Sequence, residues 1–152
     1  STMKNIFLIL LLIITSKSLS QDNRLIGKWK IISVSGNGYY YNSEKDSIFL
    51  SNEFKEEFKG DIEILKKVDI LMRTSYSNAF YYFDDKGNHH EISDIRKDDY
   101  KYSVDKERMK IKINDYQNNA FMFEIPYQIE NEILYISLEQ KLGMANFVLK
   151  RS

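Results

Sequence analysis

Residues Ala120 to Glu130 read AFMFEIPYQIE. Phe121, Phe123, Ile125, Tyr127 and Ile129 fall on one face of an extended chain, and Met122, Glu124, Pro126, Gln128 and Glu130 on the other. A period of two residues marks a half-buried β-strand, because successive side chains point to opposite faces. Pro126 has no N–H to give to a ladder, so it belongs at a bulge or an edge of this strand. Arg108 to Asn114 repeats the pattern, with Met109, Ile111 and Ile113 inward and Lys110, Lys112 and Asn114 outward.

Short polar turns separate such runs on either side. Asp84-Asp85-Lys86-Gly87-Asn88 is a hairpin signal, with Gly87 free to take a positive φ. Asp105-Lys106-Glu107, Asn118-Asn119 and Glu130-Asn131-Glu132 read as further turns. Strands are expected near 26–34, 75–84, 88–95, 99–104, 107–114, 119–130, 132–139 and 143–151. Eight antiparallel strands joined mostly by tight turns form a meander, and closing it into a barrel leaves no strand edge exposed. The fold class expected is therefore mainly β, an eight-stranded antiparallel up-and-down barrel.

One stretch departs from the period of two. In SNEFKEEFKGDIEILKKVDILMR, Ser51 to Arg73, apolar residues recur at Phe54, Phe58, Ile62, Leu65, Val68 and Met72. Steps of three and four give a single apolar stripe on a helix. Ser51 is placed to cap its start, Glu53 suits the first turn, and Gly60 divides it into two short helices. A competing reading takes Ile62 and Ile64 as strand alternation. The helical insertion falls between the first and second strands of the meander.

The chain opens differently. Ser1 and Thr2 ahead of Met3 read as a cloning scar, followed by Lys4, Asn5 and the apolar run IFLILLLII, Ile6 to Ile14. A short positive region, an apolar core of this length and small residues at Ser18 and Ser20 describe a secretory signal peptide cleaved before Gln21. The alternative is an uncleaved N-terminal anchor, although the run is short for a bilayer span. No cysteine follows it to carry a lipid anchor. The expected division is a scar and leader over 1–20 and one barrel domain over 21–152, exported to the periplasm or beyond.

Two of the 22 basic residues, Lys4 and Lys17, lie in the leader and none of the 22 acidic ones do, which leaves a domain near −2. No basic excess exists to neutralise a phosphate backbone, so nucleic acid is not an expected partner. With no cysteine there is neither a disulfide nor a thiolate metal site, and the 43% of hydrophobic residues must hold the fold alone. Abundant Ile, Lys, Asn and Tyr beside a single Pro fit an AT-rich bacterial genome.

The stretch RLIGKWKIISVSG, Arg24 to Gly36, holds the only tryptophan. Gly27-Lys28-Trp29 early in the first strand of an exported barrel resembles the G-x-W signature of the lipocalin superfamily. The pattern Leu25, Gly27, Trp29, then the aromatic run Tyr76 to Phe83 and the turn Asp84 to Gly87, is similar to the lipocalin-like domain proteins of Bacteroidetes. The likeness spans most of 24–151 as an order of elements. In a closed meander the first and last strands pair antiparallel, and Arg151 shares the phase of Phe147 and Leu149 at the end of the last strand. It is thereby placed to lay its guanidinium over Trp29, as the resemblance also implies, with Gly27, Trp29 and Arg151 forming a structural plug at the closed end. A threonine-aspartate-tyrosine motif is absent, only Asp99-Tyr100 standing near it, and no helix follows the last strand.

Catalytic chemistry finds little support. His89 and His90 are neighbours on a strand and point to opposite faces, so they do not converge on one metal; the alternatives are an exposed pair beside a turn, which is the expected one, and a weak surface metal at either histidine with Glu91. Neither a G-x-S-x-G elbow nor a phosphate-cradling glycine loop occurs. Asp84-Asp85, Asp98-Asp99 and Glu56-Glu57 are sequence neighbours and read as turn or solvated residues. No enzyme, cofactor or metal is expected.

Two functions remain. In the first, the barrel is a non-catalytic binding module for a small apolar or amphipathic ligand. Its lining is expected from Ile31, Phe80, Tyr82, Tyr102, Phe121, Phe123, Ile136 and Phe147, with Trp29 beneath, and the resemblance to fatty-acid-binding barrels implies a helical cap. In the second, the barrel is solid and meets an envelope protein through its surface, as an inhibitor, immunity-type or assembly protein. That surface is expected at Tyr39, Tyr40, Tyr41, Phe54 and Phe58, since consecutive tyrosines suit interfaces, although they also suit packing. A monomer without stable membrane insertion is expected in either case.

Overall fold

The computed structural model describes residues 21–140 and 143–152; the leader expected over 1–20 lies outside them. Ten strands and two helices follow in order: β1 (Gly27–Gly36), β2 (Tyr39–Asn42), β3 (Ser47–Leu50), α1 (Asn52–Glu57), α2 (Ile62–Tyr76), β4 (Phe80–Phe83), β5 (Asn88–Ile92), β6 (Lys97–Asp105), β7 (Lys110–Asp115), β8 (Phe121–Glu130), β9 (Ile133–Gln140) and β10 (Gly143–Arg151). Eight of them, β1 and β4 to β10, each run antiparallel to the next, and β10 returns to β1 to close the barrel. The closing ladder sets Trp29 opposite Arg151, Ile31 opposite Leu149 and Val34 opposite Phe147.

The two remaining strands arise because β1 changes partner. Its first half, Gly27 to Lys30, pairs with β4. After a register irregularity between Ile31 and Ser33, its second half pairs with β2, which turns back through β3. The β2–β3 hairpin falls where the sequence shows three tyrosines and no clear turn, and it was not expected as separate strands. The helices follow it and lie between the first and second barrel strands, as expected. Ser51 caps α1, its hydroxyl accepting from the Phe54 N–H at 3.1 Å, and Asp61 caps α2 through the Glu63 and Ile64 N–H groups. Lys59 and Gly60, both at positive φ, separate the two. The helix continues to Tyr76, so the strand expected to start at 75 begins only at Phe80.

The core fills the closed end. The Trp29 indole N–H donates to the Leu25 carbonyl at 2.7 Å, and both residues are fully buried. The Arg151 guanidinium stands 4.4 Å from the centre of the Trp29 ring and donates to the Ile26 carbonyl at 2.7 Å. Below it Asp22 accepts from Arg24 and, at 2.9 Å, from the Tyr127 hydroxyl. This tucks the entry segment under the barrel. Between β4 and β5 the Asp84 carboxylate accepts from the Lys86 and Asn88 N–H groups, and Gly87 takes φ +82°.

Three expected interior residues face outward. Opposed residues of two strands share a face. The β1–β4 register opposes Trp29 to Tyr81 and Gly27 to Phe83, which leaves Tyr82 and Phe80 outside with Lys28 and Lys30. The Lys28 ammonium lies 3.9 Å above the Phe80 ring, and Tyr82 is exposed. The run FYYF alternates nothing, so its phase is set by its neighbour. Phe121 is exposed because a bulge between Ile113 and Asn114 drops it out of the inward row that Phe123 keeps. Tyr102 and Ile136 are buried in the closed-end core, the Tyr102 hydroxyl donating to the Asp84 carbonyl at 2.7 Å.

Candidate functional site

The other end of the barrel is hollow because two neighbouring strands part. β8 and β9 pair only from Tyr127 opposite Ile136 to Glu130 opposite Ile133. The Tyr127 N–H donates across to the carbonyl of Met109, just before β7, so the N–H position of residue 126 points the other way, towards β9. Residue 126 is proline and donates nothing there. Beyond it β8 follows β7 and β9 follows β10, and the wall opens between Phe123–Glu124 and Leu138–Gln140.

A half-open cavity of about 590 Å³ occupies this end. Ile31, Ala79, Phe123, Leu138 and Phe147 give it an apolar wall. Across from these stand Tyr81, Glu91, Arg96 and Tyr100, and the last turn of α2 supplies Ser75 and Tyr76 as one lip. The aromatic rings are interlocked: Tyr76 meets Phe147 edge-on at 5.8 Å, Tyr81 lies 6.5 Å from Phe147, and Tyr100 meets Phe123 edge-on at 6.5 Å. Burial pushes the phenols of Tyr76, Tyr81 and Tyr100 above their ordinary pKa, Tyr81 most strongly, so all three remain neutral hydroxyls.

The polar wall is built on β5 and the turn after it. His89 and Glu91, two residues apart, both point inward and are buried. The His89 ring stacks on Phe83 at 4.2 Å and faces Tyr100 at 5.9 Å, with its Nε2 3.3 Å from Glu91 Oε1. Glu91 Oε2 is bonded by the Arg96 guanidinium, whose Nε reaches Asp98 at 2.5 Å. Arg96 is positioned by a tight turn in which its N–H and that of Ile95 donate to the Ser93 hydroxyl. Burial raises the Glu91 carboxyl, but the hydrogen bond and charge of His89 and the charge of Arg96 outweigh it and hold the group below its usual range. A buried carboxylate thus stays ionised beside an aromatic cavity.

Of the expected lining residues, Ile31, Phe123 and Phe147 border the cavity, while Trp29, Tyr102 and Ile136 belong to the core and Phe80, Tyr82 and Phe121 to the outer surface. His89 is fully buried rather than exposed, because its phase along β5 is that of Glu91 and not of the solvated His90. At the expected interaction surface Tyr41 is fully buried, Phe54 is buried, and Tyr39 packs edge-on against Phe54 at 6.0 Å, with Phe58 5.2 Å beyond. Tyr40 is the one exposed residue of that group, at 40%, with Tyr39 and Phe58 partly buried. Tyr76, Tyr81, Glu91, Arg96 and Tyr100 were not anticipated. The two-residue spacing of His89 and Glu91 was the available signal, since it puts both on one strand face.

No family model matches the chain, and no curated protein does. Among solved structures, the barrel is similar to a DUF4847 family protein from Bacteroides vulgatus, at 14% identity and a TM-score of 0.49. The likeness covers 86% of this chain and 95% of that one.

Proposed function

We propose that the protein is an exported, non-catalytic, lipocalin-like binding barrel that takes a small amphipathic molecule into the hollow end. The observation that supports this reading is the cavity itself. At about 590 Å³ it exceeds the roughly 300 Å³ at which small-molecule sites begin. Its lining combines apolar side chains, Ile31, Ala79, Phe123, Leu138 and Phe147, with the hydroxyls of Tyr76, Tyr81 and Tyr100 and the charged Glu91 and Arg96, which suits a ligand with a tail and a head. The α2 lip and the parted strands form the rim through which such a molecule enters. Native mass spectrometry of protein purified from its host, with solvent extraction of the same sample, tests the reading. A co-purifying molecule of a few hundred daltons is expected, and its release by Leu138→Trp, which fills the apolar wall. Absence of any bound molecule, together with no saturable uptake of amphipathic probes, overturns it.

A second reading, action on a protein partner, draws on α2. No residue of this helix is fully buried, and Ile62, Ile70 and Leu71 are each more than half exposed. Phe49 on β3 is equally open at 63%. A pull-down from envelope extract, repeated with Ile70→Glu and Leu71→Glu, tests it: a partner retained by wild type and lost by both variants supports it, and an unchanged profile ends it.

A further inference from the structure

We infer that the head group received by the cavity is an organic cation, an alkylammonium seated among Tyr76, Tyr81 and Tyr100 against the carboxylate of Glu91. The inference rests on the binding reading above and specifies its chemistry. The first ground is the fixed charge. Glu91 is 7% exposed and lies within the cavity wall, whereas the Arg96 side chain that neutralises it is 59% exposed on the rim. Arg96 is shared with a second carboxylate, Asp98, so the trio of Glu91, Arg96 and Asp98 carries an excess of negative charge. Glu124 and Glu139 also border the opening, Glu124 being matched outside by Arg108 and Lys110. Among the described residues Arg96 is the one cation on the cavity lining.

The second ground is the surrounding surface. Ring faces attract cations through their quadrupole, and the attraction grows where water is excluded. Tyr76, Tyr81 and Tyr100, with Phe123 and Phe147 beside them, ring the space next to Glu91. An anion here faces the buried carboxylate of Glu91 across a poorly solvated gap, and the one cation on the lining, Arg96, is already engaged by Glu91 and Asp98. A cation meets aromatic rings and that carboxylate together. Arg96 already shows the site in use: its guanidinium is the resident cation on Glu91, held by a surface turn and bonded to Asp98 at 2.5 Å. Shifted onto Asp98 alone, it leaves Glu91 Oε2 to the incoming ammonium while His89 keeps Oε1.

Isothermal titration calorimetry with three ligands of one tail, decyltrimethylammonium and decanoate below their micelle concentrations and decanol below its solubility limit, all at neutral pH, tests the inference. Decyltrimethylammonium is expected to bind about tenfold tighter than decanol, and decanoate weakest. Glu91→Gln is expected to bring the three affinities to within about threefold of one another. Arg96→Ala is expected to strengthen the ammonium by about threefold to tenfold, because it vacates the carboxylate. Circular dichroism establishes that each variant is folded, and Arg96→Ala alone decides the sign if Glu91→Gln is not. Decanoate binding tightest, or Arg96→Ala weakening the ammonium, overturns the cation and leaves the binding barrel standing. Failure of all three molecules to bind wild-type protein overturns both.

Discussion

Trp29 owes its place to three neighbours that the chain brings from both ends. Gly27 takes φ +132°, a conformation that only glycine adopts readily, and a Cβ there would come within 2.7 Å of Arg151 Nη1. The missing side chain is thus the seat of the guanidinium, and the guanidinium covers the indole. Trp29→Ala removes a fully buried ring and its bond to Leu25, and is expected to cost about 3–5 kcal/mol in chemical denaturation. A loss under about 1 kcal/mol would show that the ring does not fill the closed end. Gly27→Ala leaves the indole in place but strains the backbone and displaces Arg151. It is expected to cost about 1–3 kcal/mol and to shift tryptophan fluorescence as the cation leaves the ring. The pairing of Trp29 with Arg151 was legible in the sequence because strand phase sets it, Arg151 being in step with Leu149, while Gly27 entered through the resemblance to the G-x-W signature. Glu91 and Arg96 were not legible. Their meeting depends on the turn at Ser93 to Arg96, whose shape comes from hydroxyl and backbone bonds with no periodic trace.

At the level of elements, strands with mixed polarity were readable and uniformly aromatic ones were not. AFMFEIPYQIE fixes its own inward face as far as Phe123. FYYF has no polar member to mark the outside, so only its pairing with β1 decides that Tyr81 enters the cavity and Tyr82 leaves it. The β2–β3 hairpin was hidden for a related reason: Tyr39 to Tyr41 are equally able to pack or to face solvent. Pro126, by contrast, was legible as a break, although what it breaks was not. It ends the β8–β9 ladder one residue short of a hydrogen-bonded pair with Ser137, and the wall parts from there. Pro126→Val restores a donor at that point. The variant is expected to add amide protection at residues 126 and 137 in hydrogen exchange, and to slow or weaken uptake of an amphipathic probe at least about threefold. Its effect on stability is expected to stay within about 1 kcal/mol, the new bond offsetting the lost stiffness of proline in the unfolded chain. Unchanged exchange at Ser137 would place the cause of the opening elsewhere, in the bulge beside Phe121.

Across the whole molecule, a barrel without disulfides rests on buried ionisable groups at both ends, and pH reaches them in opposite senses. Arg24 and Tyr127 hold the Asp22 carboxyl below its usual range. For Glu91 burial works upward, but its bonds to His89 and Arg96 prevail. A carboxyl lowered in the folded state adds stability at pH above its unfolded value and loses it as pH falls through the folded one. The melting temperature is therefore expected to decline steadily from about pH 5 towards pH 2. Burial raises the phenols of Tyr81, Tyr102 and Tyr127, the last also through its bond to Asp22. A raised phenol contributes its full stability below the unfolded pKa, about 10, and loses it as pH climbs through the folded value. Between about pH 10 and the folded value the unfolded chain ionises first and draws the equilibrium towards itself. These three phenols lie in the closed end, the cavity wall and the base, so no single local opening frees them. Their tyrosinate absorbance is expected to appear only together with loss of the far-ultraviolet β signal, as one cooperative step in an alkaline titration. If the tyrosinate signal runs to completion while the β signal persists, the barrel admits hydroxide without unfolding, and the closed end is not the sealed core that Trp29, Arg151 and Asp22 describe.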